Sequence, residues 1–264
     1  MRKVAFVMGI LALVGMSGIA AADGYRSANV APPVSYNWSG VYFGSQVGYG
    51  WGTADIRENL SIAAPPGTPL LSAGDKHDID GWLAGVHLGA MKQFGSFVVG
   101  TDLALSGADI NGSSGDCAGL TTASGGAIGV NCSSKVNWLA TALGRGGFAW
   151  DRYLVYGSLG YAIAGVDHNI TLNVPATTPL LAISWSKSDV AHGIAFGGGL
   201  QYGVTRDLTL GIDYVHANLE SRGEGIVLGG AITNGKRDVD LDTITARLSY
   251  RFGGECCAAA APLK

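Results

Sequence analysis

Along this chain, eight segments whose apolar residues alternate with small or polar ones are joined in turn by connections of roughly twenty residues and connections of two or three. Strict alternation of long and short links is rare in a compact soluble domain. It suits an antiparallel sheet closed on itself across a bilayer, with tight turns on one side and long loops on the other. The spacing therefore predicts an all-β, eight-stranded, up-and-down transmembrane barrel.

The first strand is expected over Gly40 to Gly52, where Val41, Phe43, Val47, Tyr49 and Trp51 share one face and Tyr42, Gly44, Gln46, Gly48 and Gly50 the other. Period two assigns the first set to lipid and the second to a crowded interior. The second strand, about Asp78 to Gln93, turns through Phe94-Gly95-Ser96 into the third, Phe97 to Gly107. The fourth, Lys135 to Trp150, turns at Asp151-Arg152 into the fifth, Tyr153 to Val166. The sixth, Ser188 to Val204, turns at Thr205-Arg206-Asp207 into the seventh, Leu208 to Ser221, and Val239 to Phe252 forms the eighth. Long loops are expected at Thr53 to His77, Ala108 to Ser134, Asp167 to Lys187 and Arg222 to Asp238. An even strand count returns both chain ends to one side, the periplasm for a secreted Gram-negative chain, and puts the long loops outside.

The compartment follows from the N-terminus. Arg2 and Lys3 precede an apolar run from Val4 to Val14, and Ala20-Ala21-Ala22 supplies an A-x-A site. These are the parts of a secretory signal peptide, with cleavage expected after Ala22. No other stretch has the apolar length of a membrane helix, so any spanning must be done by strands. Removing Arg2 and Lys3 from the 17 Lys and Arg leaves 15 basic against 20 acidic residues, which argues against nucleic acid as a partner. Forty-two glycines and only 14% charged residues fit a barrel wall better than a soluble surface. The expected organisation is a signal peptide at 1–22, a periplasmic lead-in at 23–37 containing Pro32-Pro33, the barrel at 38–252 and a tail at 253–264.

Aromatic residues mark two girdles. Trp38, Phe94, Phe97, Trp150, Tyr153, Tyr202 and Phe252 fall near the short turns, and Trp51, Trp82, Trp138 and Trp185 near the long loops.

An internal repeat runs through the pattern. Gly85-Val86-His87-Leu88-Gly89 with Gln93-Phe94-Gly95 matches Gly193-Ile194-Ala195-Phe196-Gly197 with Gln201-Tyr202-Gly203 at an offset of 108. Gly-x-Asp recurs at Gly100 to Asp102 and Gly211 to Asp213, and an Arg stands three residues before an aromatic at Arg145 and Arg247. In the loops, Asn59-Leu60-Ser61-Ile62 with Thr68-Pro69-Leu70-Leu71 matches Asn169-Ile170-Thr171-Leu172 with Thr178-Pro179-Leu180-Leu181. We read a duplicated four-strand half-barrel.

The repeat places Asp102, Arg145, Asp213 and Arg247 on the interior face, because a charge facing lipid at mid-membrane costs roughly 2–4 kcal/mol. An isolated ion in a narrow lumen is also costly, so Asp–Arg pairs are expected there. They act either as a packed polar core or as the constriction of a pore, and an eight-stranded interior just wide enough for side chains favours the core. Cys117 and Cys132, with 14 residues between them, are expected to form a disulfide in an oxidising compartment. Closing that loop contributes about 3 kcal/mol in the chain-entropy model. Cys256-Cys257 belong to the tail and lack further ligands for a metal. No nucleophile, base and orienting acid stand in a recognisable arrangement, so no enzyme and no cofactor are expected. His192 is the one residue with the placement of a lipid-modifying base, and His77 and His168 border the first and third loops, where haem or a metal could bind.

Several runs resemble a known family. Trp38-Ser39-Gly40-Val41-Tyr42-Phe43-Gly44 is similar to its opening strand, Gly144-Arg145-Gly146-Gly147-Phe148-Ala149-Trp150-Asp151-Arg152 with Leu154-Val155-Tyr156-Gly157 to its central hairpin, and Ala246-Arg247-Leu248-Ser249-Tyr250-Arg251-Phe252 to its closing strand. These are the porin-like outer-membrane immunogenic proteins, OmpA-like eight-stranded barrels related to opacity-type proteins. The resemblance implies an outer-membrane location and a surface-antigen or envelope-structural role, with a narrow porin or a haemin binder as alternatives. It also implies outer-membrane lipid and lipopolysaccharide, the barrel-assembly machinery and an external surface ligand as partners. The family normally ends at its terminal aromatic, whereas here Gly253 to Lys264 follow Phe252.

Overall fold

The computed structural model describes residues 36–62, 68–115, 120–121, 127–174, 181–227 and 231–252. Its strands are β1 (Gly40–Ile62), β2 (Thr68–Phe94), β3 (Phe97–Ser114), β4 (Leu120–Thr121), β5 (Ala127–Trp150), β6 (Tyr153–Val174), β7 (Leu181–Gly203), β8 (Leu208–Val227) and β9 (Ala231–Phe252). Antiparallel ladders run in the order β3-β2-β1-β9-β8-β7-β6-β5, and β3 pairs with β5 to close an eight-stranded barrel. The two-residue β4 lies outside that circuit, with Leu120 opposite Ile128 of β5.

The short turns fall where the sequence places them, because their backbone requirements are legible. Gly95 and Asp151 each take a positive φ, 63° and 50°, at the first position of a two-residue hairpin turn. Glycine adopts that conformation freely and aspartate tolerates it. The third turn is longer, and the Thr205 hydroxyl accepts from the backbone N–H of Leu208 at 3.0 Å.

The other end differs from expectation. Most of each expected loop is strand: β1 continues ten residues beyond Gly52, and β2 begins at Thr68 rather than Asp78. Each long connection is a hairpin prolonged past the membrane. The wall divides as it rises. The β7–β8 ladder stops at His192 opposite Glu220, while β6–β7 continues to Val174 opposite Leu181 and β8–β9 to Val227 opposite Ala231.

Alternation sorts the side chains as lipid outside and packed lumen inside require. Val41, Phe43, Val47 and Trp51 are exposed, while Tyr42 and Gln46 are buried. Phe94, Phe97, Trp150, Tyr153, Tyr202 and Phe252 form an exposed ring at the short-turn end, and Trp51 and Trp82 face outward at the other. From Trp82 to Phe94 a tilted strand rises roughly 28 Å, close to the height of an apolar band. Beyond the band, outward-facing carboxylates begin. Lys135 Nζ lies 2.8 Å from Asp109 Oδ1 and holds that exposed carboxyl below its ordinary value, first by hydrogen bonding and then by charge.

Three girdle assignments need correction or qualification. Trp38 is fully buried, not interfacial: it packs with Tyr36, Tyr42, Met91, Val98, Ala149, Leu154 and Tyr156 inside the short-turn mouth. Its indole N–H donates to the Asp151 carbonyl at 3.3 Å, and its backbone N–H to Gln93 Oε1 at 2.7 Å. Trp138 is half-buried, and its indole occupies the place a side chain at Gly165 would need. The Trp185 side chain lies outside the described residues, as do the signal peptide, residues 23–35 and the tail.

The interior has three storeys. The aromatic cluster fills the short-turn end. Charged and polar groups occupy the middle. Above them, Ile79, Leu83, Ile110, Val136, Leu139, Leu143, Val166, Leu219, Val239 and Leu241 close around small alanines such as Ala162, Ala195 and Ala217.

Glycine substitutions test this packing. A Cβ on Gly89 would collide with the Thr101 carbonyl oxygen and the Tyr42 hydroxyl, whereas one on Gly146 meets nothing within 4 Å. Gly89→Ala should therefore lose about 1–3 kcal/mol, and Gly146→Ala should be neutral or slightly stabilising. Urea unfolding in lipid vesicles followed by tryptophan fluorescence reads both.

Candidate functional site

Asp102, Arg145, Asp213 and Arg247 meet in the middle of the lumen. Arg247 holds Asp102 with two bonds, Nη2 to Oδ1 at 2.8 Å and Nη1 to Oδ2 at 3.2 Å, and its Nη1 also lies 2.7 Å from Asp213 Oδ2. Arg145 Nη2 reaches Asp213 Oδ2 at 2.7 Å and Asp102 Oδ1 at 3.1 Å. Each guanidinium touches both carboxylates, the formal charge sums to zero, and Asp102 is fully buried. The ions come from β3, β5, β8 and β9, so this one cluster ties together strands far apart in sequence.

Register explains how four side chains from separate strands converge. Tyr42 stands opposite Gly89, and Gly89 opposite Asp102. With no side chain on Gly89, the Tyr42 ring crosses β2 and its hydroxyl donates to Asp102 Oδ2 at 2.8 Å. On the other half Tyr156 stands opposite Gly199, and Gly199 opposite Asp213. The Tyr156 hydroxyl donates to Asp213 Oδ1. Gly100 faces Arg145 across the β3–β5 ladder as Gly211 faces Arg247 across β8–β9. The contacts thus repeat about a pseudo-twofold axis along the barrel. The crossed glycine of the second half is Gly199, two residues beyond the position that the 108 offset equates with Gly89.

The repeat is not perfect, and the difference is chemical. Gln46 Oε1 accepts from Arg247 Nε at 2.9 Å, and Gln46 Nε2 donates to Ser106 Oγ at 2.8 Å. Arg145 Nε has no such acceptor among the described residues. Instead its guanidinium lies 4.6 Å from the centroid of the Tyr156 ring, a cation–π contact.

Parity and the cost of charge in lipid were enough to place the four ions inside. Tyr156 was missed as their partner, and Tyr42 was placed on the interior face without a role. The available signal was a Tyr and an Asp separated by one strand with a glycine between. His87 was missed too: it is buried beside the cluster with Nε2 at 2.8 Å from Ser249 Oγ.

The remaining candidates separate from this centre. His192 projects outward near Tyr161, its ring centroid 6.1 Å away. His77 and His168 are buried inside the upper barrel, where His168 Nδ1 lies 3.0 Å from Ser134 Oγ. Among the described residues no three His, Cys, Asp or Glu side chains are placed to hold a metal ion. Cys132 is disulfide-bonded, and Cys117 lies outside the described residues.

Removing one ion strands its partners in a medium that cannot solvate them. Arg247→Met should cost about 3–5 kcal/mol, and adding Asp102→Asn should recover part of that loss, read by urea unfolding in vesicles.

A family model described as outer membrane protein beta-barrel domain matches residues 9–252. The 31 kDa outer-membrane immunogenic proteins of Brucella melitensis and Brucella suis are each 28% identical over 238 residues, 86% of this chain and 89% of theirs. Among solved structures, OprG from Pseudomonas aeruginosa has a TM-score of 0.44 at 14% identity, over 83% of this chain and 98% of its own. The Escherichia coli outer membrane protease OmpT has a TM-score of 0.44 at 8% identity, over 83% and 99%. Ail, the attachment invasion locus protein of Yersinia pestis, has a TM-score of 0.32 at 13% identity, over 78% and 99%. With the closed barrel, the family match across nearly the whole chain and the outer-membrane relatives, this chain belongs to the outer-membrane protein β-barrel domain family and resides in the Gram-negative outer membrane.

Proposed function

We propose that this protein is a non-conducting, non-enzymatic barrel that contributes to envelope structure and offers its prolonged outer hairpins as the surface for antigenic and other external contacts. The observation that carries this reading is the filled lumen. Trp38 and Tyr36 occupy the periplasmic mouth, the Asp–Arg cluster the middle, and an apolar cluster the outer half. The enclosed space between the last two, bounded by Gln46, Leu143, Arg145, Asp213 and Thr245, is about 30 Å³. That volume is of the size that one water needs, far from a solute pathway.

A barrel of this kind meets outer-membrane lipid and lipopolysaccharide along its band and girdles, and its placement relies on the barrel-assembly machinery. Its external ligand would be met by the hairpin tips. Buried His77 and His168 give a haemin reading no exposed ligand, and outward His192 has no nucleophile and orienting acid assembled around it among the described residues.

Conductance in a planar lipid bilayer tests the reading. The folded mature protein should be silent, and the Asp102→Ala/Asp213→Ala variant should leak if it folds at all. Steady, ion-selective wild-type channels would replace this proposal with a narrow porin for small solutes.

A further inference from the structure

The outer wall divides at two places, one in each half of the repeat. The β7–β8 ladder ends at His192 opposite Glu220, and the β2–β3 ladder at Asp80 opposite Asn111. Above these points, among the described residues, β2 pairs with β1 alone, β3 with β5, β7 with β6 and β8 with β9. The closed barrel thus continues outward as two four-stranded sheets, β3-β5-β6-β7 and β8-β9-β1-β2, each with an edge at either side.

Depth explains why the wall opens here. An open backbone edge is excluded from lipid, where no water can satisfy it. The outward-facing residues of β7 change from Phe196, Ile194 and Val190 to Ser188 and Ser186, so the β7 edge from Leu181 to Ser188 stands beyond the apolar band. Its N–H and C=O groups on the side away from β6 form a row at strand spacing that joins no ladder among the described residues.

The four edges are not equivalent. Between Thr68 and Ile79 β2 carries Pro69 and Gly74, β3 carries Gly112 just above Asn111, and β8 carries Gly223 and Gly225 between Ser221 and Val227. Proline removes a ladder donor and blunts an edge, and glycine weakens a strand. The β7 edge, Leu181-Ala182-Ile183-Ser184-Trp185-Ser186-Lys187-Ser188, has neither, and its Ile and Trp are residue types that favour strand. It is backed by β6, and β6 by β5 as far as Asn173 opposite Gly129. Lys187, its one charge, is the kind of edge residue that opposes pairing between identical edges.

We propose that the β7 edge from Leu181 to Ser188 is a docking site for an extended segment of another polypeptide, taken up as an added strand at the cell surface. Alternating donors and acceptors at strand spacing are matched by another backbone, not by a glycan or an acyl chain. The described ends of this chain, Tyr36 and Phe252, lie at the opposite mouth, so the segment comes from another molecule. The assignment rests on the reading of the prolonged hairpins as the contact surface and gives that surface a mode: backbone pairing fixes the place, and the side chains that flank it select the partner.

Amide hydrogen exchange of the folded full-length protein in lipid nanodiscs, resolved by NMR, tests the proposal. The probe is a short synthetic peptide of alternating valine and threonine with lysines at its ends, used beside the same peptide N-methylated throughout. Without peptide, alternate amides of Leu181 to Ser188, those turned away from β6, should exchange fast while their neighbours are protected. The peptide should slow them roughly tenfold, the effect of one net backbone hydrogen bond, and its N-methylated form should leave them unchanged. Uniform protection without peptide, protection that grows with protein concentration and so marks a second copy as occupant, no slowing by the peptide, or equal slowing by both peptides would overturn the assignment. Slowing confined to the hairpin tips would remove the edge site and leave the contact-surface reading standing; steady wild-type channels in a planar bilayer would do the reverse.

Discussion

A charge inside a narrow barrel has no water to solvate it and no lipid-free side to escape to, so it must be neutralised in place. That constraint organises the centre of this protein. Asp102 and Asp213 each meet both Arg145 and Arg247, and the four side chains bind β3 and β5 of one half to β8 and β9 of the other. The surrounding residues serve that contact. Gly89 and Gly199 are bare so that Tyr42 and Tyr156 can cross a strand and satisfy the remaining carboxylate lone pairs. Gln46 completes one guanidinium, and an aromatic face covers the other. The cluster fills the middle of the lumen with a group whose formal charge sums to zero.

The storeys above and below follow from the same geometry. Eight strands leave an interior that side chains can fill. Toward the outside the filling is mainly aliphatic, built from large residues set against alanines, with His168 meeting Ser134 among them. Toward the periplasm it is aromatic, and the residues just before β1 supply Tyr36 and Trp38. With the centre occupied in three different ways, the parts of the molecule left to meet the environment are the lipid-facing band and the prolonged hairpins beyond it.

The sequence was informative wherever two environments alternate across the wall. Between the girdles, lipid on one side and packed lumen on the other impose period two, so the strands and their short turns could be placed to within a residue or so. Beyond the girdles no lipid imposes an apolar outer face, the sequence alternation fades, and strand such as β1 beyond Gly52 reads as loop; Pro69, beside a register irregularity at Leu60 and Ser61, deepens that impression. At the site, the interior position of Asp102, Arg145, Asp213 and Arg247 followed from parity and the cost of charge in lipid. The tyrosines did not follow, because a side chain that reaches across a neighbouring strand depends on cross-strand register, which one strand's pattern does not contain. Trp38 failed for a related reason: a tryptophan near a strand end suits an interfacial girdle or a barrel mouth equally, and only the position of the lead-in decides between them.

The central claim is that two guanidinium groups are locked between two carboxylates in a lumen closed to water. Nitrogen-15 NMR of arginine side chains, recorded on the folded protein in lipid nanodiscs, addresses it directly. The account predicts that Arg145 and Arg247 show resolved, rotationally hindered Nη–H signals protected from exchange with solvent. Averaged signals in rapid exchange with water would mean that the ions are solvated and the lumen is open.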